Sequence, residues 1–434
     1  MISFDTTSLV KTIIAVLLAV AVLLVVYNRE RITARLGRAE RAVPYLTFVL
    51  LRLVPFVAVY VLLNQEPRSD VDFFYRKAEA ALRGKLVYRD FLSYHAPLFS
   101  YLISLPLLLW HNARVIILLM AVMEFIIATA TLRYFRPRVA GAITLFVLYY
   151  LLPLPFVAMI LSGEEDIWMW GFGLLTLALP AGPRFSLWAG VLWGVGMLVI
   201  KFMLIVFLIP LFFIVPNRLQ YVAGLLLVGL PSLAILYAVV GMDFLMPIQH
   251  SSLPMTPNVV SVLRPVLGAY IQQVPLTYLN WAGLLLTIGG ASWIGYRYRA
   301  LGYRRLLPLL YVLTFGLFML LLPSSPGYYL FTYALPLVFT GLPLNRPRLW
   351  VAFTVLNALL VIQPILWILY AKQVLYNSWS VLTRPAEWAD YGMQVIEVAL
   401  LVYVLRACLG QLRTVAQAAP ATESYPSTVR PASI

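Results

Sequence analysis

Apolar runs of about 20 residues recur along nearly the whole chain, separated by short polar connections, which is the pattern of helices that cross a bilayer. The first run, 12–27, is long enough to be a span rather than a cleaved leader. The polar stretch NRERITARLGRAERA follows, with Arg29, Arg31, Arg35, Arg38 and Arg41 against Glu30 and Glu40, and the positive-inside rule makes it a cytoplasmic loop. Further spans are expected at 44–63, 113–132, 139–160, 167–180, 186–200, 202–215, 220–240, 281–296, 306–322, 329–343, 349–370 and 390–406. The pattern therefore predicts an all-α polytopic membrane protein with about 13 transmembrane helices, its N-terminus outside and its C-terminus inside. It divides into an additional N-terminal helix and basic loop (1–43), a transmembrane core (44–406) and a tail (411–434). That tail is largely Ala, Thr, Ser and Pro and is expected to be disordered in the cytoplasm.

Three places break this rhythm. Segment 64–112 is the longest polar stretch between spans, and its acidic residues Glu66, Asp70, Asp72, Glu79 and Asp90 nearly balance its basic ones. Within it, 70–83 has helical periodicity, with Phe73, Lys77, Ala80 and Ala81 on one side, and Gly84 is a natural stop. This reads as an amphipathic helix on the outer bilayer surface. The apolar run 98–110 is short and interrupted by Pro106, so it is expected to be interfacial or re-entrant rather than a crossing. That choice places the arginines at 133–138 inside and the acidic cluster at 162–166 outside. The Pro-rich connection 241–280 is expected to pack on the outer face as short helices or a lid.

Composition narrows the classes. Of 434 residues, 62% are apolar and 11% charged, with a mean hydropathy of +0.89. A soluble chain carries about a quarter of its residues charged. The net charge of +15 does not point to nucleic acid, because the basic residues sit in short clusters between apolar runs. Cys408 is alone, so no disulfide forms within the chain. There is no phosphate-cradling Gly-rich loop, which argues against an ATP-driven pump within this chain.

Asp70 and Asp72 follow a span in SDVDFFYRKAEAALRGK. Two carboxylates at a helix start can hold a cation or act as a general base. They can equally cap the helix and favour its positive end. Glu164, Glu165 and Asp166 form a second acidic cluster whose mutual repulsion calls for a cation, a basic side chain or water. His95, where the outer segment turns toward the bilayer, can bind a phosphate or hydroxyl, or be a plain interfacial histidine. Lys201, between two apolar runs, can grip an anionic lipid phosphate or snorkel to the interface. Tyr328 and Tyr329 follow Pro323 and Pro326 and are either interfacial aromatics or a pocket wall for sugar stacking. Arg52 and Glu124 fall mid-span, where charge is costly, and an ion pair between neighbouring helices is the simplest account; Glu397 is a similar isolated case.

The block SDVDFFYRKAEAALRGKLVYRDFLSYHAPLFSYLISLPLLLW, 69–110, resembles the polyprenyl-phosphate-sugar-dependent glycosyltransferases of the GT-C fold. The matching elements are Asp70, an aromatic at Phe74 or Tyr75, Gly84, Tyr88 with Asp90, and Ala96-Pro97 opening an aromatic helix. The family often has Pro-Pro where this chain has Ala-Pro. Beyond the block, Glu165 or Asp166, Lys201 and the PGYY segment are similar to later family elements, and the likeness spans about 70–380. The resemblance implies a GT-C-like catalytic domain over 44–406 in a multi-pass cell-membrane protein, with the active site on its extracytoplasmic face. It implies a polyprenyl-phosphate-linked sugar as donor, a glycan, lipid or protein acceptor, and transfer with inversion. Asp70, Asp72 and Asp166 would be the catalytic carboxylates. Glu165, His95, Lys201, Arg264, Tyr88, Tyr328 and Tyr329 would bind substrate. The resemblance leaves open a divalent cation, Mg2+ or Mn2+, with Asp70 and Asp166 as its ligands. A multi-span lipid or solute transporter is the alternative, but neither an inverted repeat nor paired broken helices is evident.

Overall fold

The computed structural model describes residues 6–68, 70–366 and 375–418, and apart from one isolated bridge between Val87 and Phe91 its regular structure is helical. Among the described residues, seven helices are long and apolar enough to cross a membrane: Ser8–Tyr27, Val43–Leu62, Arg114–Phe135, Arg218–Ile248, Tyr303–Leu321, Pro347–Leu366 and Pro385–Ala418. An eighth is reached if the pair Ala142–Leu151 and Pro153–Ser162, bent by 60°, counts as one crossing. The bend falls at Leu152, whose extended backbone (ψ 133°) is what a following proline imposes.

The expectation of about 13 spans is therefore corrected. The runs at 167–180, 186–200, 202–215 and 329–343 end up as helices of 12, 15, 8 and 11 residues. A helix rises 1.5 Å per residue and needs about 20 residues to span the hydrocarbon. Burial by other helices accounts for much of this apolar character: every residue from Leu330 to Phe339 is buried in the bundle, whereas Leu175, Trp188, Ile205 and Ile209 of the other three face outward. Hydropathy scores burial in protein and burial in lipid alike. The run at 281–296 lies in Leu276–Arg297, which has the length, yet its Asn, Trp, Tyr and Gly residues leave it outside the apolar set. Phe99–Leu108 is a short apolar helix, as the non-crossing reading of 98–110 requires. The connection 241–280 carries the helical stretches Gly241–Ser252 and Val259–Ile271 and the start of Leu276–Arg297. The tail boundary expected at 411 falls inside the helix Pro385–Ala418, and the rest of the tail, 419–434, lies outside the described residues, as does part of the expected span 349–370.

The mid-bundle charges pair as the sequence suggested. Arg52 Nε and Nη2 donate to the two oxygens of Glu124 at 2.6 and 2.9 Å, with both side chains fully buried. Tyr149 OH donates to Glu124 Oε1 at 3.0 Å, and Arg52 stacks on the Tyr150 ring at 4.6 Å. Such a pair survives in a low-dielectric bundle only when its remaining polar atoms are also bonded.

The two ends of the bundle differ in charge. One end gathers the arginine-rich connections: Arg136 pairs with Glu40, and Arg304 donates to Leu179 O at 2.6 Å. A cavity of about 850 Å³ opens there between Arg29, Thr33, Arg138 and Leu344. The other end collects the acidic cluster and the connections at 64–98, 200–204 and 323–329.

Candidate functional site

Each segment of the acidic end is delivered by an identifiable local device. The helix Asp70–Leu82 starts on two carboxylates, which its positive end favours, and buries Val71, Phe74, Lys77, Ala78 and Ala81 at helical spacing. It stops at Gly84, whose φ of +72° is open to glycine at little cost. The chain then turns through Tyr88, which holds a φ of +70° that non-glycine residues rarely adopt. Its ring is buried and its hydroxyl donates to His95 O at 2.6 Å, so the turn is fixed from both sides. Two backbone hydrogen bonds, Ala96 N to Ile200 O (3.1 Å) and Leu98 N to Leu198 O (3.0 Å), clamp this segment to the end of Phe185–Val199. They put His95 beside Lys201. The acidic triplet arrives through Gly163, also left-handed (φ +65°), where a Cβ would strike the Val71 side chain at 2.6 Å. That close approach seats Glu164–Asp166 against the start of the Asp70 helix.

The result is one connected network. Lys201 Nζ lies 2.7 Å from Glu165 Oε1 and 2.6 Å from Asp166 Oδ1. His95 Nε2 lies 3.0 Å from the same Glu165 oxygen, and His95 Nδ1 lies 3.2 Å from Lys77 Nζ. The chemistry of the neighbours assigns the imidazole: Nε2–H donates to the carboxylate, and Nδ1 accepts from the ammonium. Lys77 also sits over the Phe73 ring at 3.7 Å, and Lys201 over Tyr329 at 5.3 Å. Asp70 shares a side-chain hydrogen bond with Glu164. Glu165 Oε2 and Asp166 Oδ2 are buried without a hydrogen-bond partner.

Burial and charge set the protonation states. Burial pushes the Asp70 carboxyl above the usual range, reinforced by Glu165 and opposed by Lys201, the Glu164 hydrogen bond and Lys77. Glu164 is raised well above normal by burial and by Asp70, Glu165 and Asp166. Asp166 rises to about 6 through burial, despite Lys201. Glu165 is opposed by burial as well, yet Lys201 and His95 overcome it and hold it well below normal. Lys77 falls to about 7 and His95 to about 4, both chiefly through burial. At Lys201 burial is outweighed by Asp166 and Glu165, which keep the ammonium charged. The cluster thus contains a carboxyl of raised pKa, a permanent cation and a neutral histidine of fixed tautomer.

A cavity of about 290 Å³ opens beside this network. Asp70, His95, Lys201, Tyr328 and Tyr329 line it, with Phe73 and Tyr94 as further aromatic walls. Glu165 and Asp166 lie behind Lys201, and Tyr88 lies behind His95. Asp72 points away from the cavity and pairs at the surface with Arg76 at 2.7 Å. Arg264 is remote too: its Nε donates to Asn377 Oδ1 at 2.5 Å, on the helix Val259–Ile271. Lys77 and Glu164 belong to the network too, although the sequence marks Lys77 only as a helix-face position and Glu164 only as a member of the acidic cluster, neither as a site residue. The signal for Lys77 was present, since an ammonium seven residues after Asp70 lies on the buried face of the same helix.

The acidic residues do not make a metal-binding set. Among the described residues, no three His, Cys, Asp or Glu side chains are arranged to hold an ion, and the Lys201 ammonium takes the place between Glu165 and Asp166. The chain is an all-α, multi-pass membrane protein, and no family model, curated protein or solved structure matches it.

Proposed function

We propose that the protein is a membrane glycosyltransferase that moves a sugar from a polyprenyl-phosphate donor to an acceptor hydroxyl at the extracytoplasmic face, with inversion. One observation carries this reading: a raised-pKa carboxyl, Asp70, and a cation, Lys201, line the same aromatic-walled cavity at the acidic end of a membrane bundle. Leu284, Val206 and Ile205 continue that wall as apolar surface suited to a prenyl chain. The resemblance of 69–110 to GT-C enzymes and the arginine-rich opposite end support the assignment of faces.

In this reading Asp70 accepts the proton of the acceptor hydroxyl as its oxygen attacks the anomeric carbon. The bond from that carbon to the phosphate oxygen breaks, and polyprenyl phosphate leaves with the electron pair. The leaving group is already anionic and needs a positive partner rather than a proton, which Lys201 supplies. Lys201 is shared with two carboxylates before the donor arrives. Asp166, at about 6, is the one that yields: taking up a proton near neutral pH frees the ammonium for phosphate. Tyr328 and Tyr329 offer ring faces to the sugar. His95, held by Lys77 and Glu165, keeps Glu165 charged and Lys201 in place.

The test is incubation of the purified protein with a panel of polyprenyl-phosphate sugars and candidate acceptors, followed by mass analysis of the extracted products. Release of polyprenyl phosphate with a matching glycosylated product is expected. Transport of the donor across vesicles without any chemical change would overturn the reading in favour of a carrier.

A further inference from the structure

Behind the cavity lies a second buried polar group that the mechanism above does not use. Asp390, at the start of the last long helix, is fully buried and accepts three hydrogen bonds. These come from Gln363 Nε2 at 2.7 Å, Tyr376 OH at 2.8 Å and Gln394 Nε2 at 2.9 Å. A buried carboxylate tolerates its surroundings only when donors surround it, so these three side chains are held as firmly as they hold the acid.

Gln363 uses its other amide proton on Thr256 Oγ1, at 3.4 Å. Thr256 in turn grips the loop that forms one wall of the cavity: Gly327 N donates to Thr256 O at 3.1 Å, and Met255 N donates to Pro323 O at 2.8 Å. The fit is close, because a Cβ at Gly327 would meet Leu360 Cδ2 at 2.7 Å and Pro257 Cδ at 2.9 Å. The next residues of that loop are Tyr328 and Tyr329, the latter beneath Lys201.

We propose that Asp390, Gln363 and Thr256 are positioning residues for the cavity, forming a brace that holds the Pro323–Tyr329 loop and fixes Tyr328 and Tyr329 opposite Asp70 and Lys201. The consequence for substrate rests on the reading of that cavity as a donor site. The brace itself does not, since it is a statement about how firmly the loop is held. Its three members touch neither the cavity nor a substrate, and they come from the 254–258 connection and the last two long helices, so a change in their packing reaches the loop by way of Thr256.

The brace is tested on the full chain in detergent with a Tyr328→Cys variant, whose new thiol faces the cavity while native Cys408 is fully buried and silent. Asp390→Asn leaves three donors around a single acceptor oxygen. It should raise the maleimide labelling rate at position 328 about tenfold, the factor that loss of one charge-assisted hydrogen bond allows. Thr256→Val, which keeps shape and removes only the hydroxyl, should raise the rate in the same direction, and Thr256→Ser should restore it. Rates within about twofold of the parent in both Asp390→Asn and Thr256→Val would overturn the brace. If Asp390→Asn does not yield folded protein, the Thr256 pair decides alone. In the transfer assay Asp390→Asn and Thr256→Val, each made in the chain that keeps Tyr328, should raise donor KM more than they lower kcat. If the wild-type protein transfers no sugar at all, the donor reading fails while the labelling rates still decide the brace.

Discussion

Asp70 belongs to a network in which carboxyls (Glu164, Glu165, Asp166) outnumber ammonium groups (Lys77, Lys201), and its role as a base depends on that balance. Burial and Glu165 raise its pKa while Lys201, Glu164 and Lys77 lower it. The acid limb of the kcat/KM profile should therefore lie above the ordinary aspartate pKa of about 3.9. Lys77→Met removes one of the groups that lower it, so the limb should move to higher pH; a limb unchanged or shifted down would count against Asp70 as the titrating base. Donor binding titrates differently. Asp166 releases Lys201 as pH falls through about 6, so donor KM should fall from pH 7 to pH 6, and Asp166→Asn should flatten that dependence. Steady-state kinetics at the two pH values in both proteins checks this. Away from the site, Glu124→Leu leaves Arg52 buried and uncompensated and should cost about 3–5 kcal/mol, read as loss of thermal stability in detergent. At this scale the sequence was informative where a charge interrupted an apolar run. Glu165 and Lys201 stood out that way, Asp70 and His95 stood out in the longest polar stretch between spans, and the four do converge. Asp72 and Arg264 were also candidates but pair away from the cavity, Asp72 with Arg76 one turn on and Arg264 with the distant Asn377, because spacing along a chain does not say which face of a helix turns inward. Lys77 was visible on an apolar face, yet its partner His95 comes from a separate turn whose position only the fold supplies.

Helices were legible as apolar runs, but their lengths were not. The break at Leu152 bends an expected crossing, the two runs that meet at the expected break Lys201 are each too short to cross, and the interior position of Leu330–Thr340 makes it as apolar as any lipid-facing helix. Packing between elements follows small residues. Gly190 and Gly224 face each other across Phe185–Val199 and Arg218–Val240, so that a Cβ on either would run into the other helix's backbone at Tyr221 O or Leu187 O. In lipid, such close backbone approach is a main source of helix association. Gly224→Leu should force these helices apart at a cost of about 1–3 kcal/mol. Gly229→Leu on the same helix, where a Cβ meets nothing within 4 Å, should be nearly neutral. Comparing the two melting temperatures separates packing from a general intolerance of bulk.

The described residues form a bundle with an arginine-rich end and an acidic end, joined by seven or eight helices long and apolar enough to cross a membrane and by shorter helices between them. Its polarity predicts orientation. A cysteine placed in 28–43 should resist an impermeant maleimide added outside intact cells, and one placed at Gln65 should react, against the buried Cys408 background. Reversed labelling would put the cavity on the cytoplasmic side. The account turns most directly on turnover at that cavity. Purified wild-type and Asp70→Asn proteins, matched for yield and melting temperature, would be given the same polyprenyl-phosphate sugars, and released polyprenyl phosphate quantified by mass. Release coupled to a glycosylated product is expected from the wild type and none above background from Asp70→Asn; equal release from both would contradict catalysis by Asp70 at this cavity.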